Sequence, residues 1–180
     1  MKKVAILLAD GFEEIEGLAT ADILIRADIK CDLVSVDSKE LVQTAHGKYI
    51  KADKGFYDME NYDMLILPGG MPGATNLGNN IKVLDILKKY NNENKYIAAI
   101  CASPAIVLPK AGVSQGKNIT SYPGMKDTLL ESNYLEDDVV VDGNLITSRG
   151  PGTTFSFAYK IAEILGKNTN QIKLGMLYKN

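Results

Sequence analysis

The stretch Tyr96-Ile97-Ala98-Ala99-Ile100-Cys101-Ala102-Ser103-Pro104 decides the fold. Tyr96 to Ile100 carry no charge and read as a strand buried on both faces. Pro104 suits the first turn of a helix, where a missing N–H costs nothing. A buried strand that runs straight into a helix is the repeating unit of a parallel sheet covered on both sides. Cys101 sits on the turn between them. The layout is like the nucleophile elbow of hydrolases, without the glycines of G-x-S-x-G. Helix N–H groups beside a thiol favour thiolate, so the expectation is a Cys101 pKa below the ordinary value of about 8.5. The competing reading, which these residues alone favour slightly, is a small side chain filling the core.

Working outward, the same pattern repeats. Val4 to Ala9, Cys31 to Val36 and Met64 to Leu67 are further apolar strands. Helices are expected over Glu13–Ala27, Asn79–Tyr90, Cys101 to about Lys110 and Phe155–Leu165, with Gly112 and Gly166 as stops. Residues 41–52 read as a small polar hairpin. Val139–Val141 and Leu145–Thr147 read as another, turned at Asp142-Gly143-Asn144. Asn168–Asn180 reads as a polar tail on the surface. The prediction is an α/β, flavodoxin-like doubly wound sandwich: a mostly parallel central sheet, helices on both faces, one domain over 1–180. Ligands in such folds lie beyond the carboxyl ends of the strands.

Bulk properties exclude several classes. The chain has 180 residues, 46% hydrophobic and 23% charged, with a formal net charge of −2. Such a charge creates no field for nucleic acid or an anionic membrane, and no apolar run is long enough to span a bilayer. The opening MKKVAILLADGFEE has two lysines before an apolar stretch, but acids follow at once, and it reads as a first strand of a cytoplasmic protein. Two cysteines and one histidine do not make a disulfide framework or a zinc site. No metal or organic cofactor is expected.

Three more segments carry chemistry. After the strand Met64–Leu67 comes Pro68-Gly69-Gly70, whose backbone N–H groups can face an oxyanion, or whose glycines simply make a tight turn. It is not a phosphate-binding loop, because no G-K-[ST] follows. Glu13, Glu14 and Glu16 open a helix. Dipole complementation suffices for the first two, whereas Glu16 lies deeper on a face that becomes apolar at Ala19, Thr20 and Ile23. Leu18 to Ile25 has little polar face, so the helix is expected to be covered by the sheet and by a second subunit in a symmetric dimer. Ser148-Arg149-Gly150-Pro151-Gly152-Thr153-Thr154 is a loop in which Thr153 or Thr154 can cap the next helix, and Arg149 can bind a carboxylate or tie down carbonyls. His46 sits in the polar hairpin with nothing local to bring it to Cys101, and Cys31 opens a strand with no reactive setting.

Taken together, Gly11-Phe12-Glu13-Glu14-Ile15-Glu16, Leu67-Pro68-Gly69-Gly70, Ala98 to Pro104 and Thr147 to Thr153 resemble the ThiJ/PfpI superfamily, in the branch of the parkinsonism-associated deglycase. The resemblance spans nearly the whole chain. It implies a flavodoxin-like homodimer with Cys101 as an oxidation-sensitive nucleophile, Glu16 as a protonated acid bonded to its sulfur, and the N–H groups of Gly70 and Ala102 as oxyanion donors. Gly69, His46, Tyr122 and Arg149 fall at the implied pocket. The activity implied is a cofactor-independent glyoxalase or deglycase acting on methylglyoxal-like dicarbonyls or their thiol and amine adducts. The alternative is a redox sensor or stress-protective chaperone working by oxidation of Cys101. Where the peptidase branch has a His directly after the nucleophile, this chain has Ala102, which argues against a peptidase. Tyr122 stands where animal members have a His. His46 stands where members present an arginine, and is expected to reach the site from the partner subunit.

Overall fold

The computed structural model describes residues 1–179. Its centre is a seven-stranded sheet built from β1 (Lys3–Leu8), β2 (Lys30–Ser35), the short β5 (Lys54–Gly55), β6 (Met64–Leu67), β7 (Tyr96–Ile100), β10 (Val139–Asp142) and β11 (Leu145–Ser148). The spatial order is β10-β11-β7-β6-β1-β2-β5, and only β10 runs antiparallel to its neighbour. This is the mostly parallel, helix-covered sheet that the apolar runs predict.

The uninterrupted apolar strands follow from burial on both faces. In β1, Val4, Ile6 and Leu8 enter one core cluster, while Ala5 and Leu7 enter the cluster on the opposite face. Each fully buried Leu or Ile adds about 2 kcal/mol of apolar transfer energy. Helices α1 (Thr20–Arg26) and α5 (Thr154–Ile164) cover the first face through Leu24, Phe157 and Ile161. Helices α2 (Gly73–Asn79) and α3 (Ile81–Asn92) cover the second through Leu77, Val83 and Leu87. The strand order changes direction between β1 and β6. The loops leaving their carboxyl ends therefore diverge and open a crevice, the usual ligand position in such sheets.

Several boundaries differ from expectation for local reasons. The segment Glu13–Ala27 is not one α-helix: Ile15–Ala19 form a π-helical turn before α1. The helix expected from about Asn79 to Tyr90 is α3, shifted by two residues, and α2 before it had no expectation; Asn80 ends α2 and caps α3, its Oδ1 accepting from Lys82 N at 3.1 Å and Val83 N at 3.4 Å. Helix α4 covers only Ser103–Ile106. It does not reach Lys110 because Pro109 has no N–H for the Ala105 carbonyl.

The tail is not merely polar surface. Asn170–Gly175 form α6, and Tyr178 stacks on Phe155 with ring centroids 6.1 Å apart while its hydroxyl meets Ser156 at 2.7 Å. The last residue, Asn180, lies outside the described residues. The expected hairpin over residues 41–52 is β3 (Leu41–Gln43) with β4 (Tyr49–Lys51), and the one at 139–147 is β10 with β11. A small parallel pair, β8 (Asn118–Ile119) and β9 (Asn133–Tyr134), had no clear signal in the sequence. No helix among the described residues is long and apolar enough to cross a membrane.

Candidate active site

The β7–α4 turn forces Cys101 into the left-handed region, with φ +65°. A non-glycine residue there is strained, and persists only where its surroundings hold it. Here both sides of its backbone are pinned: Cys101 N donates to Ser148 O at 3.0 Å, and Tyr122 N donates to Cys101 O at 2.8 Å. The next turn is tied to the neighbouring loop by Ser103 Oγ, which donates to Pro68 O at 2.6 Å. Sequence reasoning passed over Ser103. Its fully buried hydroxyl is the physical link between the elbow and Pro68-Gly69-Gly70.

Gly69 and Gly70 are required for different reasons. A Cβ on Gly69 would lie 2.6 Å from Cys101 Cβ and 2.9 Å from Glu16 Oε2, so Gly69 is the gap through which thiol and acid meet. Gly70 has φ +87°, and a Cβ there would come within 2.4 Å of Glu13 N.

Glu16 projects from the π-helical turn and is completely buried. Single π turns of this kind re-aim side chains at functional sites. Gly69 N donates to Glu16 Oε2 at 2.7 Å and Oε1 has no hydrogen-bond partner; the Cys101 thiol lies close enough to this carboxyl group to lower its pKa. The N–H groups of Gly70 and Ala102 are near enough to the Cys101 sulfur to favour its thiolate. No cation joins the cluster: neither Glu16 nor Cys101 has an ion-pair partner among the described residues.

The electrostatics correct one expectation. Cys101 is not lowered by the elbow: burial, followed by the charge of Glu16, pushes its thiol up to about 12, and the Gly70 and Ala102 amides offset only part of this. Burial likewise pushes Glu16 up to about 7, against the opposing hydrogen bond from Gly69. Two negative charges this close in a dry site exclude one another, so the pair is a unit that holds one proton when it carries one charge. An ionised Glu16 is positioned to receive the thiol proton, as a base activates an adjacent nucleophile.

The remaining candidates lie around this centre. Tyr122 is exposed, and its ring lies over Gly150, where an added Cβ would meet it at 3.4 Å. Arg149 is half-buried, and one guanidinium nitrogen, Nη1, donates to Glu136 O at 3.0 Å. Thr153 does not cap α5. Its Oγ1 instead accepts from Gly150 N at 3.1 Å and Arg149 N at 3.2 Å, closing the loop before the helix.

His46 is not brought to Cys101 within this chain. It is exposed and bonds Glu14, Nδ1 to Oε2 at 2.9 Å, and that hydrogen bond and charge raise its pKa. Glu13, Glu14 and His46 bring ligand atoms within 4.8 Å of one another, the one such cluster among the described residues. Two of its three members already form an ion pair on the surface. Cys31 is a free thiol in β2, raised by burial and by Asp32 and Asp53 with no amide donor to offset them.

Known proteins resemble this chain along nearly its whole length. The DJ-1/PfpI family model matches residues 2–164. Protein dj-1beta of Drosophila melanogaster is 41% identical over 98% of this chain and 97% of its own length. Its crystal structure superposes with a TM-score of 0.95 over 99% of both chains at 40% identity. The glutathione-independent glyoxalase DJR-1.2 of Caenorhabditis elegans is 37% identical over 91% of this chain and 89% of its own length. Oxidized Toxoplasma gondii DJ-1 superposes with a TM-score of 0.94 and 35% identity over the full length of both chains.

Proposed function

The chain belongs to the DJ-1/PfpI family, and from that premise we propose that it is a cysteine-dependent glyoxalase or deglycase, converting methylglyoxal-like dicarbonyls or their thiol and amine adducts without a cofactor. The observation that carries this reading is one thiol facing one buried carboxyl group and two backbone amides at the crevice end of the sheet.

The chemistry needs little else. As Cys101 Sγ attacks the aldehyde carbon of methylglyoxal, Glu16 takes the thiol proton. The carbonyl oxygen becomes an alkoxide facing the amides of Gly70 and Ala102, then takes a proton to complete a hemithioacetal. Glu16 next removes the C1 proton, giving an enediol. Return of a proton to C2 leaves a Cys101 thioester of a 2-hydroxy acid, and water hydrolyses it to lactate and free thiol. C1 is oxidised and C2 reduced within the substrate, so no external electron carrier enters the balance. A relay by a positioned acid–base group is worth about 10²- to 10⁴-fold. The burial that raises Glu16 to about 7 poises it for this work near neutral pH. The relative named a glutathione-independent glyoxalase is consistent with this assignment.

The chain is proposed to act as a homodimer through the Glu13–Ala27 segment, where Ile15 is 48% and Ile25 59% exposed. His46, at the tip of the neighbouring hairpin, then lies where it can approach the partner's pocket. A sedimentation experiment showing only monomer at working concentration removes this part.

A second reading uses the same donors. Peroxide would oxidise the Cys101 thiolate to sulfenate, releasing water, and a second equivalent to sulfinate. The new oxygens would face the amides that otherwise face the alkoxide. The discriminating measurement is lactate release from methylglyoxal set beside mass spectrometry after mild peroxide. Lactate release that is lost in Cys101→Ala and Glu16→Ala supports the enzyme. Selective Cys101 oxidation without dicarbonyl turnover supports a sensor, and full lactate release by either variant overturns the assigned roles.

A further inference from the structure

The pairing of β6 with β7 stops at Leu67, opposite Ala99. Beyond it, Pro68 has no N–H with which to extend the ladder. Cys101 N is committed to the other side, to Ser148 O at 3.0 Å. The two loops that surround the thiol therefore leave the sheet side by side without a backbone hydrogen bond between them, among the described residues. One side-chain hydrogen bond joins them instead: Ser103 Oγ donates to Pro68 O at 2.6 Å.

The other anchors of Pro68-Gly69-Gly70 run elsewhere. Gly69 O accepts from Glu13 N at 3.0 Å, and Gly69 N donates to Glu16 Oε2 at 2.7 Å. Gly70 O accepts from Ala74 N at 2.9 Å, within α2. These bonds fix the strap against the acid-bearing segment and against the helix that follows it. None of them fixes it against the turn that carries the sulfur. Ser103 is placed for that task. It is the first residue of α4, directly after Ala102, and is fully buried. A serine hydroxyl at a helix start commonly serves the free N–H groups of that helix. Here no side chain caps α4, and the hydroxyl reaches sideways to the strap while Ser103 O stays in the helix, accepting from Val107 N at 2.9 Å. One hydroxyl thus spans from the residue after one amide donor to the residue two before the other.

We propose that Ser103 is a positioning residue: its hydroxyl sets the separation between the Gly70 and Ala102 amides, and so how well they meet negative charge on the Cys101 sulfur or on the oxygen of its adduct. This rests on the reading of those amides as anion donors. Ser103 acts through the two loops and not on the reacting atoms. Donors of this kind work over a narrow window of distance. Their misplacement is felt by the charged states and not by the neutral substrate as it binds, so the loss belongs to kcat.

The test compares wild type with Ser103→Ala and with Ser103→Cys, whose S–H is a weaker donor. One readout is steady-state lactate formation from methylglyoxal. The other is the rate of Cys101 alkylation by iodoacetamide at about pH 8, in wild type and Ser103→Ala, which needs no turnover. Ser103→Ala removes one atom and adds none, so the sheet should keep its circular dichroism. It should lower kcat about tenfold with KM within about twofold, and slow alkylation about threefold or more. Ser103→Cys should fall between the two in kcat. A hydroxyl that only holds the fold together would lower the urea midpoint of Ser103→Ala and leave kcat, KM and alkylation unchanged. That result overturns the proposal, as does a loss confined to KM. If the wild type makes lactate and Ser103→Ala keeps both rates, the positioning role alone falls. If the wild type makes none, the glyoxalase reading falls and alkylation decides Ser103: slower labelling in Ser103→Ala supports it, and unchanged labelling overturns it.

Discussion

The chain has two cysteines, and burial drives both to the same place. Cys31 and Cys101 are each pushed up to about 12. The remaining causes separate them. At Cys31 everything after burial also opposes the thiolate: Asp32 and Asp53 add negative charge and nothing counters them. Those carboxylates are held in place, Asp32 by Tyr62 Oη at 2.7 Å and by Lys30 and Lys54, Asp53 by Leu33 N at 2.8 Å. At Cys101 the opposing charge belongs to Glu16, a group that can itself take a proton, and two amides already face the sulfur. Reactivity therefore depends on whether the groups that suppress ionisation can accept the proton that ionisation releases, not on the resting value of a thiol.

The largest expected effect tests that contrast directly. Cys101→Ala should lower lactate formation from methylglyoxal by about 10³-fold or more, because the covalent step disappears. Cys31→Ala should leave kcat/KM within about twofold, as expected of a residue outside the site. Comparable losses in both variants would break the comparison.

Next comes the gap between thiol and acid. Gly69→Ala places a methyl group 2.6 Å from Cys101 Cβ and 2.9 Å from Glu16 Oε2, so one of the two must move. A displacement of about 1 Å costs on the order of 10²-fold in rate, while the seven-stranded sheet should keep its circular dichroism. Gly69→Ala with wild-type kcat/KM would show that Glu16 need not touch the thiol.

These two sites were not equally legible in the sequence. The apolar runs of β1, β6 and β7 announce strands buried on both faces, and Cys101 followed by Pro104 announces a strand-to-helix turn. Pairing and direction of the strands then follow from right-handed crossovers. The contact between Glu16 and Cys101 is different in kind. It joins residues far apart in the chain and depends on a π-helical turn that no periodicity signals. Read from propensity alone, Glu13 to Ala27 is an ordinary helix, and Glu16 came to the site only by family resemblance. The expectation of a lowered Cys101 pKa failed for a related reason. It counted the helix N-terminus but not the burial of a four-residue helix's first turn beside a second acid.

A third, smaller effect follows from linkage. Glu16 ionises at about 7 in the folded protein, against about 4.3 in an unfolded chain. Its folded value is raised, so its contribution to stability is fully present below about pH 4.3 and is lost as pH rises toward 7. The full difference corresponds to about 4 kcal/mol at most, and about 2 is expected once solvent screening at the pocket mouth is allowed for. Glu16→Gln does not titrate. The stability of wild type relative to this variant should therefore fall by about 2 kcal/mol between pH 4.5 and 8 in urea unfolding. A constant difference across that range would mean that the carboxyl group is not desolvated.

The smallest effect returns to the two thiols. In the wild type, the reactive form of Cys101 appears when the Cys101–Glu16 pair loses its first proton, so iodoacetamide labelling should rise with pH around 7. Glu16→Gln removes both the repelling charge and the proton acceptor. Burial, the first cause of the raised thiol, remains, and the amides of Gly70 and Ala102 oppose it as before. The rising limb should then continue to higher pH than in the wild type, where labelling levels off once the pair has given up its first proton near 7. Cys31 shares no proton with a neighbour, so its labelling should stay low through this range in both proteins. If the Glu16→Gln limb instead coincides with that of wild type, Glu16 neither accepts nor withholds the thiol proton. Cys101 would then differ from Cys31 only through its two amide donors.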